Sequence, residues 1–103
     1  MRSELFLPEA DEEFREAARY YERDAPGLGI AFITEIHRAV TSVLANPHAA
    51  AAAGSGIRRT VLHRFPYNVL YSIVEDTIVI VAVAHQKRRP SYWRARLKPL
   101  KNP

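Results

Sequence analysis

Cysteine is absent from the 103 residues. That excludes a disulfide scaffold, thiol nucleophiles and every cysteine-ligated metal centre, and it suits a reducing compartment. Long apolar runs are missing too. No uninterrupted stretch approaches the ~18–20 residues that cross a bilayer. The opening MRSELFLPEADEE holds one arginine, a very short apolar stretch and then a block of acids, which is not the pattern of a secretory signal. A cytoplasmic protein without membrane attachment is the expectation. Glycine is scarce, at four residues, and no GxGxxG or GxxxxGK[ST] phosphate loop occurs. Gly27 and Gly29 punctuate a turn between helices. The four histidines, 37, 48, 63 and 85, stand far apart and share no ligand spacing. Neither a metal nor another cofactor is expected.

What the chain does have is an ordinary globular balance, 48% hydrophobic and 25% charged. A single domain over 1–103 with its own core is expected. The charge is divided along the chain. Residues 1–56 carry five arginines against nine acids, a balance of −4, and residues 57–103 carry ten Lys/Arg against two acids, a balance of +8. Such a split points to an anionic partner for the C-terminal half.

A short strand over 3–7 ends at Pro8, which is well placed to open a helix. Glu9, Asp11, Glu12 and Glu13 crowd the first turns, as a solvated face that complements the helix dipole. Phe14, Ala17, Ala18 and Tyr21 recur at helical spacing, predicting a helix over 8–24 that Ala25-Pro26-Gly27 breaks. Phe32, Ile33, Ile36, Val40, Val43 and Leu44 form the apolar stripe of a second helix, ended by Asn46-Pro47. The tract HAAAAAGSG over 48–56 reads as a loop. IRRTVLHRF (57–65) reads as a strand. YNVLYSIV (67–74) is a second, with Tyr67, Val69, Tyr71 and Ile73 on one face. After the turn Glu75-Asp76, TIVIVAVA (77–84) is apolar on both faces, as a covered strand is. A short helix within 91–98 closes a basic tail. The order β-α-α-β-β-β predicts an α+β fold, a helical hairpin packed on a small antiparallel sheet.

The chemistry available lies in the basic half. Arg58, Arg59 and Arg64 lie on or near one strand, and His85, Lys87, Arg88, Arg89, Tyr92, Trp93, Arg94 and Arg96 follow the last one. Guanidinium forks suit phosphate oxygens, and aromatic rings can stack on bases. Metal-free phosphodiester cleavage would need a base, an acid and a cation for the developing charge. His85, Lys87, Arg89 and Tyr92 are the residues on hand for it. For Trp93, packing of the tail onto the sheet is the favoured reading.

The stretches FLPEADEEFREAARYYE, PGLGIAFITEIHRAV and IRRTVLHRFPYNVLYSIVEDTIVIVAVAHQKRRPSYWRAR cover nearly the whole chain. In their content and order the chain resembles the RelE/ParE superfamily of type II toxin–antitoxin toxins, also known as plasmid-stabilisation proteins. The resemblance implies the helical hairpin on an antiparallel sheet and a cognate antitoxin with an acidic, partly disordered segment, expected over residues 57–96. Toxin–antitoxin hetero-oligomers are usual in such systems.

RelE-like members cleave mRNA in the ribosomal A site, and ParE-like members inhibit DNA gyrase. RelE-like catalysis uses lysines on the second strand, an arginine on the third, an arginine after the last strand and a C-terminal tyrosine. Here the second strand offers Arg58, Arg59 and Arg64 but no lysine, and Asn68 stands at the third-strand arginine. Lys87 or Arg89 matches the later arginine, and Tyr92 or Trp93 the tyrosine. Loss of such a cation removes ~2.7–4 kcal/mol of transition-state stabilisation. The segments YYERDAPGLG and HRFPY…AHQKRRP look ParE-like. The resemblance thus implies a gyrase inhibitor that is not an enzyme, with Arg58, Arg59, Arg64, Lys87, Arg88, Arg89, Trp93, Arg94 and Arg96 meeting target or antitoxin. The alternatives are a metal-independent, ribosome-dependent mRNA endonuclease and an inactive homologue that only binds antitoxin.

Overall fold

The computed structural model describes residues 2–98, so the end of the basic tail, with Lys101, lies outside the described residues. The elements are β1 (Ser3–Phe6), α1 (Pro8–Asp24), α2 (Leu28–Ala45), β2 (Ala51–Gly54), β3 (Ile57–Val61), β4 (Tyr67–Val74), β5 (Thr77–His85) and a 3₁₀ turn at Arg94–Leu97. They build one five-stranded sheet in the order β1-β5-β4-β3-β2. The pairs from β2 to β5 are antiparallel, while β1 runs parallel to β5. The α+β class and the hairpin-then-meander order match the sequence reading; the parallel edge makes the sheet mixed.

Pro8 opens α1 where its missing N–H is no loss, and Asp11 N donates to Leu7 O at 2.9 Å. The start of α2 has no side-chain cap of its own. Glu22, on the preceding helix, takes that role: its carboxylate accepts from the amides of Gly27 and Gly29, each at 3.0 Å. The two helices approach closely at Gly29. A Cβ built there would lie 2.7 Å from Ala18 O and 2.9 Å from Glu22 Cβ.

The helices cover one face of the sheet. Phe32, Ile36, Val40 and Val43 of α2 meet Val69, Tyr71, Ile78, Ile80 and Val83. Tyr67, Val69, Tyr71 and Ile73 do share this face. The Tyr71 hydroxyl donates to Pro47 O at 2.6 Å, so its burial leaves no polar atom unmet there. Among the described residues, α2 alone qualifies by length and mean hydropathy (1.3) as a membrane-crossing helix. Its apolar stripe is nevertheless spent on this core, which identifies it as the core helix of a packed domain.

Strand β5 is buried on both faces, and a bulge shifts its alternation. Leu70 pairs with Ala82 and Tyr71 with Ile80, leaving Val81 as the extra residue. Ile78, Ile80 and Val83 therefore point to the helices, while Val79, Val81, Ala82 and Ala84 point to the opposite face. There they meet Ile57, Leu70 and, from the tail, Trp93 and Leu97.

Two sequence expectations are corrected. The tract over 48–56 is not all loop, since Ala51–Gly54 forms β2 against β3. Gly54, Ser55 and Gly56 all take positive φ (88°, 55° and 77°), so the glycines close a hairpin turn rather than a long loop. The Arg58 guanidinium holds the approach to β2 through His48 O and Ala50 O. Strand β3 also stops at Val61, short of residue 65. Beyond it Leu62 and Phe65 turn inward, and Glu35 of α2 accepts from the amides of His63 (2.9 Å) and Arg64 (3.2 Å).

Gly29→Ala is expected to destabilise the fold by about 1–3 kcal/mol, because backbone rather than a flexible side chain blocks the new methyl. Urea denaturation measures it, and an unchanged midpoint would mean the hairpin is looser than described.

Candidate anion-binding cleft

Alternation along β3 separates two neighbouring arginines. Arg58 turns to the helix side and is held by backbone carbonyls, while Arg59 lies on the other face beside Leu70, its partner on β4. Asn68 of β4 and Ala84 of β5 also serve this second face. After β5 the chain turns sharply. Gln86 N donates to Pro66 O, Arg88 N to His85 O and Lys87 N to His85 Nδ1, at 2.8, 2.9 and 3.1 Å. The turn carries Arg88 and Arg89 to the rim of a cleft of about 150 Å³ whose apolar wall includes Leu70, Ala84 and Trp93.

The residues lining this cleft include Arg59, Arg88, Arg89 and His85 but no carboxylate. All three arginines are exposed, and among the described residues none makes an ion pair. Asn68 has a buried Oδ1 that receives no hydrogen bond. The cleft is a convergent set of unpaired cations, suited to phosphate or carboxylate oxygens. For acid–base chemistry it is less well furnished. Because His85 Nδ1 accepts from Lys87 N, the neutral ring carries its proton on Nε2.

The tail is fixed by a residue that the sequence reading treated as part of a solvated face. Glu13 of α1 is half-buried. Its Oε1 accepts from Val83 N (3.0 Å) and Arg96 Nη1 (2.9 Å), and its Oε2 from the Tyr92 hydroxyl (2.6 Å) and Arg96 Nη2 (2.9 Å). Arg96 Nη1 also reaches Val81 O at 3.0 Å. Both partners of this ion pair are shielded, with side chains 15% and 17% exposed. Removing one would leave the other buried and unmatched, a loss of about 3–5 kcal/mol. A signal was available: Glu13 stands between Ala10 and Ala17 at helical spacing, and both alanines are buried.

Tyr92 sits 3.8 Å beneath the Arg88 guanidinium and 5.0 Å from that of Arg96. Burial first, then its hydrogen bond to Glu13 and the charge of that carboxylate, push its hydroxyl above the ordinary value of 10.0. The phenol is therefore neutral at physiological pH, with its proton directed at Glu13.

The cleft thus brings together Arg59, His85, Arg88, Arg89, Tyr92 and Trp93 of the residues singled out from sequence. Trp93 is buried, 4% exposed, and packs the tail onto the sheet. Lys87 and Arg94 are exposed outside the cleft lining, Arg58 and Arg96 hold backbone, and Arg64 lies beside Glu35 at another edge. Sequence reasoning missed Asn68's unmet amide and the Glu13 clasp.

The chain matches the family model described as ParE toxin of type II toxin-antitoxin system, parDE, over residues 5–90. No curated protein matches it. Among solved structures it is similar to a chain of the chromosomal ParDE toxin–antitoxin system from P. aeruginosa, with 19% identity, 82% of this chain and 96% of that one covered, and a TM-score of 0.72. A chain of the intact E. coli RelBE toxin–antitoxin complex follows at 17% identity, coverage of 85% and 100%, and a TM-score of 0.66. The isolated E. coli RelE toxin gives 17%, 96% and 99%, and 0.65. At these identities the structural likeness speaks for the fold.

Folding raises the proton affinity of Tyr92, so its contribution to stability is whole below pH ~10 and is lost as pH climbs through the raised folded value. Denaturation midpoints across the alkaline range should fall, and Tyr92→Phe should flatten that fall, leaving the part due to Tyr21, Tyr67 and Tyr71, which are raised by burial as well. Parallel curves for parent and variant would contradict the environment described for Tyr92.

Proposed function

This chain belongs to the ParE toxin family of type II toxin–antitoxin systems, and we propose that it inhibits DNA gyrase by binding rather than by cutting nucleic acid. The observation that carries this reading is the cleft of three unpaired guanidiniums without a carboxylate. It is furnished for holding an anionic surface. Cleavage would call for a proton acceptor and a cation over the reacting phosphate. The third-strand position offers the neutral amide of Asn68, His85 has its Nδ1 taken up by Lys87 N, and Tyr92 has its proton committed to Glu13. In this reading Arg59, Arg88 and Arg89 contact the gyrase–DNA complex, and Arg58, Trp93 and Arg96 support the surface from behind. Gyrase as target implies action in the cytoplasm.

The cognate antitoxin is the second partner. The solved relatives include toxins crystallised with antitoxin, as in the ParDE and RelBE structures. We assign its acidic segment to residues 57–96, where the balance of charge is positive. Ordering that segment opposes binding, and the large area covered offsets it.

Purified toxin should inhibit gyrase supercoiling and trap cleaved DNA, with added antitoxin restoring activity. Reversing Arg88 and Arg89 to glutamate should raise the half-inhibitory concentration by about tenfold or more, whereas Asn68→Ala, which removes no charge, should retain inhibition. Folded, antitoxin-competent protein that ignores gyrase and cuts mRNA on translating ribosomes would overturn the reading in favour of the endonuclease. Hydrogen exchange should show antitoxin protecting residues 57–96; protection confined to 8–44 would contradict that placement.

A further inference from the structure

An exposed arginine on a turn usually samples many rotamers, and fixing it costs side-chain entropy. Arg88 is such a residue, exposed and without an ion pair among the described residues. Its guanidinium nevertheless lies 3.8 Å over the Tyr92 ring, and from there it lines the cleft. The ring is held in turn by its hydroxyl, which donates to Glu13 Oε2 at 2.6 Å. Glu13 is itself fixed to the rigid layer of the fold, by its helix, by Val83 N and by Arg96. A phenol that donates to a carboxylate has a more electron-rich ring, and such a ring attracts a cation more strongly. The chain of contacts therefore runs from α1, through Tyr92, to the cleft. The pairing with Arg96 also neutralises Glu13, so an acid stands behind the cleft without repelling an anionic partner.

We propose that Glu13 is a positioning residue for the basic cleft, acting through the Tyr92 ring to present Arg88 to an anionic partner. The functional consequence rests on the gyrase reading above; the positioning itself does not.

Two measurements separate them. In NMR spectra of the intact protein, the Arg88 side chain should show an upfield ring-current shift that exposed Arg94 lacks. The shift should shrink in Tyr92→Phe, which keeps the ring but loses the bond to Glu13, and in Glu13→Gln; it should vanish in Tyr92→Leu. An Arg88 shift unchanged in folded Tyr92→Phe and Glu13→Gln overturns the proposal, whatever gyrase does. Tyr92→Phe keeps this test open if Glu13→Gln fails to fold.

The second measurement is a double-mutant cycle on gyrase inhibition. Arg88→Ala should raise the half-inhibitory concentration by about two- to fivefold, the range of an exposed cation–π contact, and Tyr92→Phe, which keeps the ring, by less. The double variant should be no worse than Arg88→Ala alone. Independent, multiplying effects would mark Tyr92 as merely structural and overturn the proposal. If the parent protein does not inhibit gyrase, the functional reading falls and the NMR result alone decides the positioning.

Discussion

Strand β5 is longer than the strand that covers its outer edge. It runs from Thr77 to His85, yet β1 pairs with it only as far as Ile80. Beyond that point the edge presents backbone groups that no strand satisfies, and a buried, unpaired N–H or C=O is destabilising. Glu13 and Arg96 take the place of the missing strand. One accepts from Val83 N, the other donates to Val81 O, and they bind each other across the gap. The bulge at Val81 lies in this same segment. Closing the edge with side chains ties α1 from one side of the sheet to the tail from the other. With the tail pinned, Trp93 and Leu97 cover the second face and the turn over 86–90 becomes a wall of the cleft.

The same logic accounts for the distribution of charge. Several acids of the N-terminal half bind main-chain amides: Glu22 at the start of α2, Glu35 at the 62–66 connection and Glu13 at β5. Each ties one element of the fold to another through a carboxylate that accepts from main-chain N–H groups. Among the described residues, Arg59, Arg88 and Arg89 keep no such partners. The positive balance of residues 57–103 is therefore not cancelled by folding at the cleft. A protein built this way holds its cations ready for an external anion, and the long-range attraction speeds encounter with an anionic partner.

Local signals made most of the fold legible. Pro8 and Ala25-Pro26-Gly27 bounded α1, the period-two pattern of 67–74 identified β4 and its inner face, and a run apolar on both sides identified β5. What escaped depended on distant partners. Alanine has little preference for strands, and β2 exists because β3 and Arg58 offer it a partner. Nothing in SELF distinguishes parallel from antiparallel pairing. In the cleft, His85 to Trp93 were found because one short turn carries them. Arg59 could be separated from Arg58 by strand alternation. Glu13 looked like one acid among several on an exposed helix start, and only the third dimension brings it to Val83, Tyr92 and Arg96.

Native-state hydrogen exchange at the Val83 amide tests the edge closure most directly. If Glu13 stands in for a strand, this amide is protected as strongly as the central β4–β5 ladder, and the protection drops selectively at Val83 in folded Glu13→Gln. A Val83 amide that exchanges as fast as an open sheet edge in the parent protein would contradict it, and with it the anchoring of the tail that shapes the cleft.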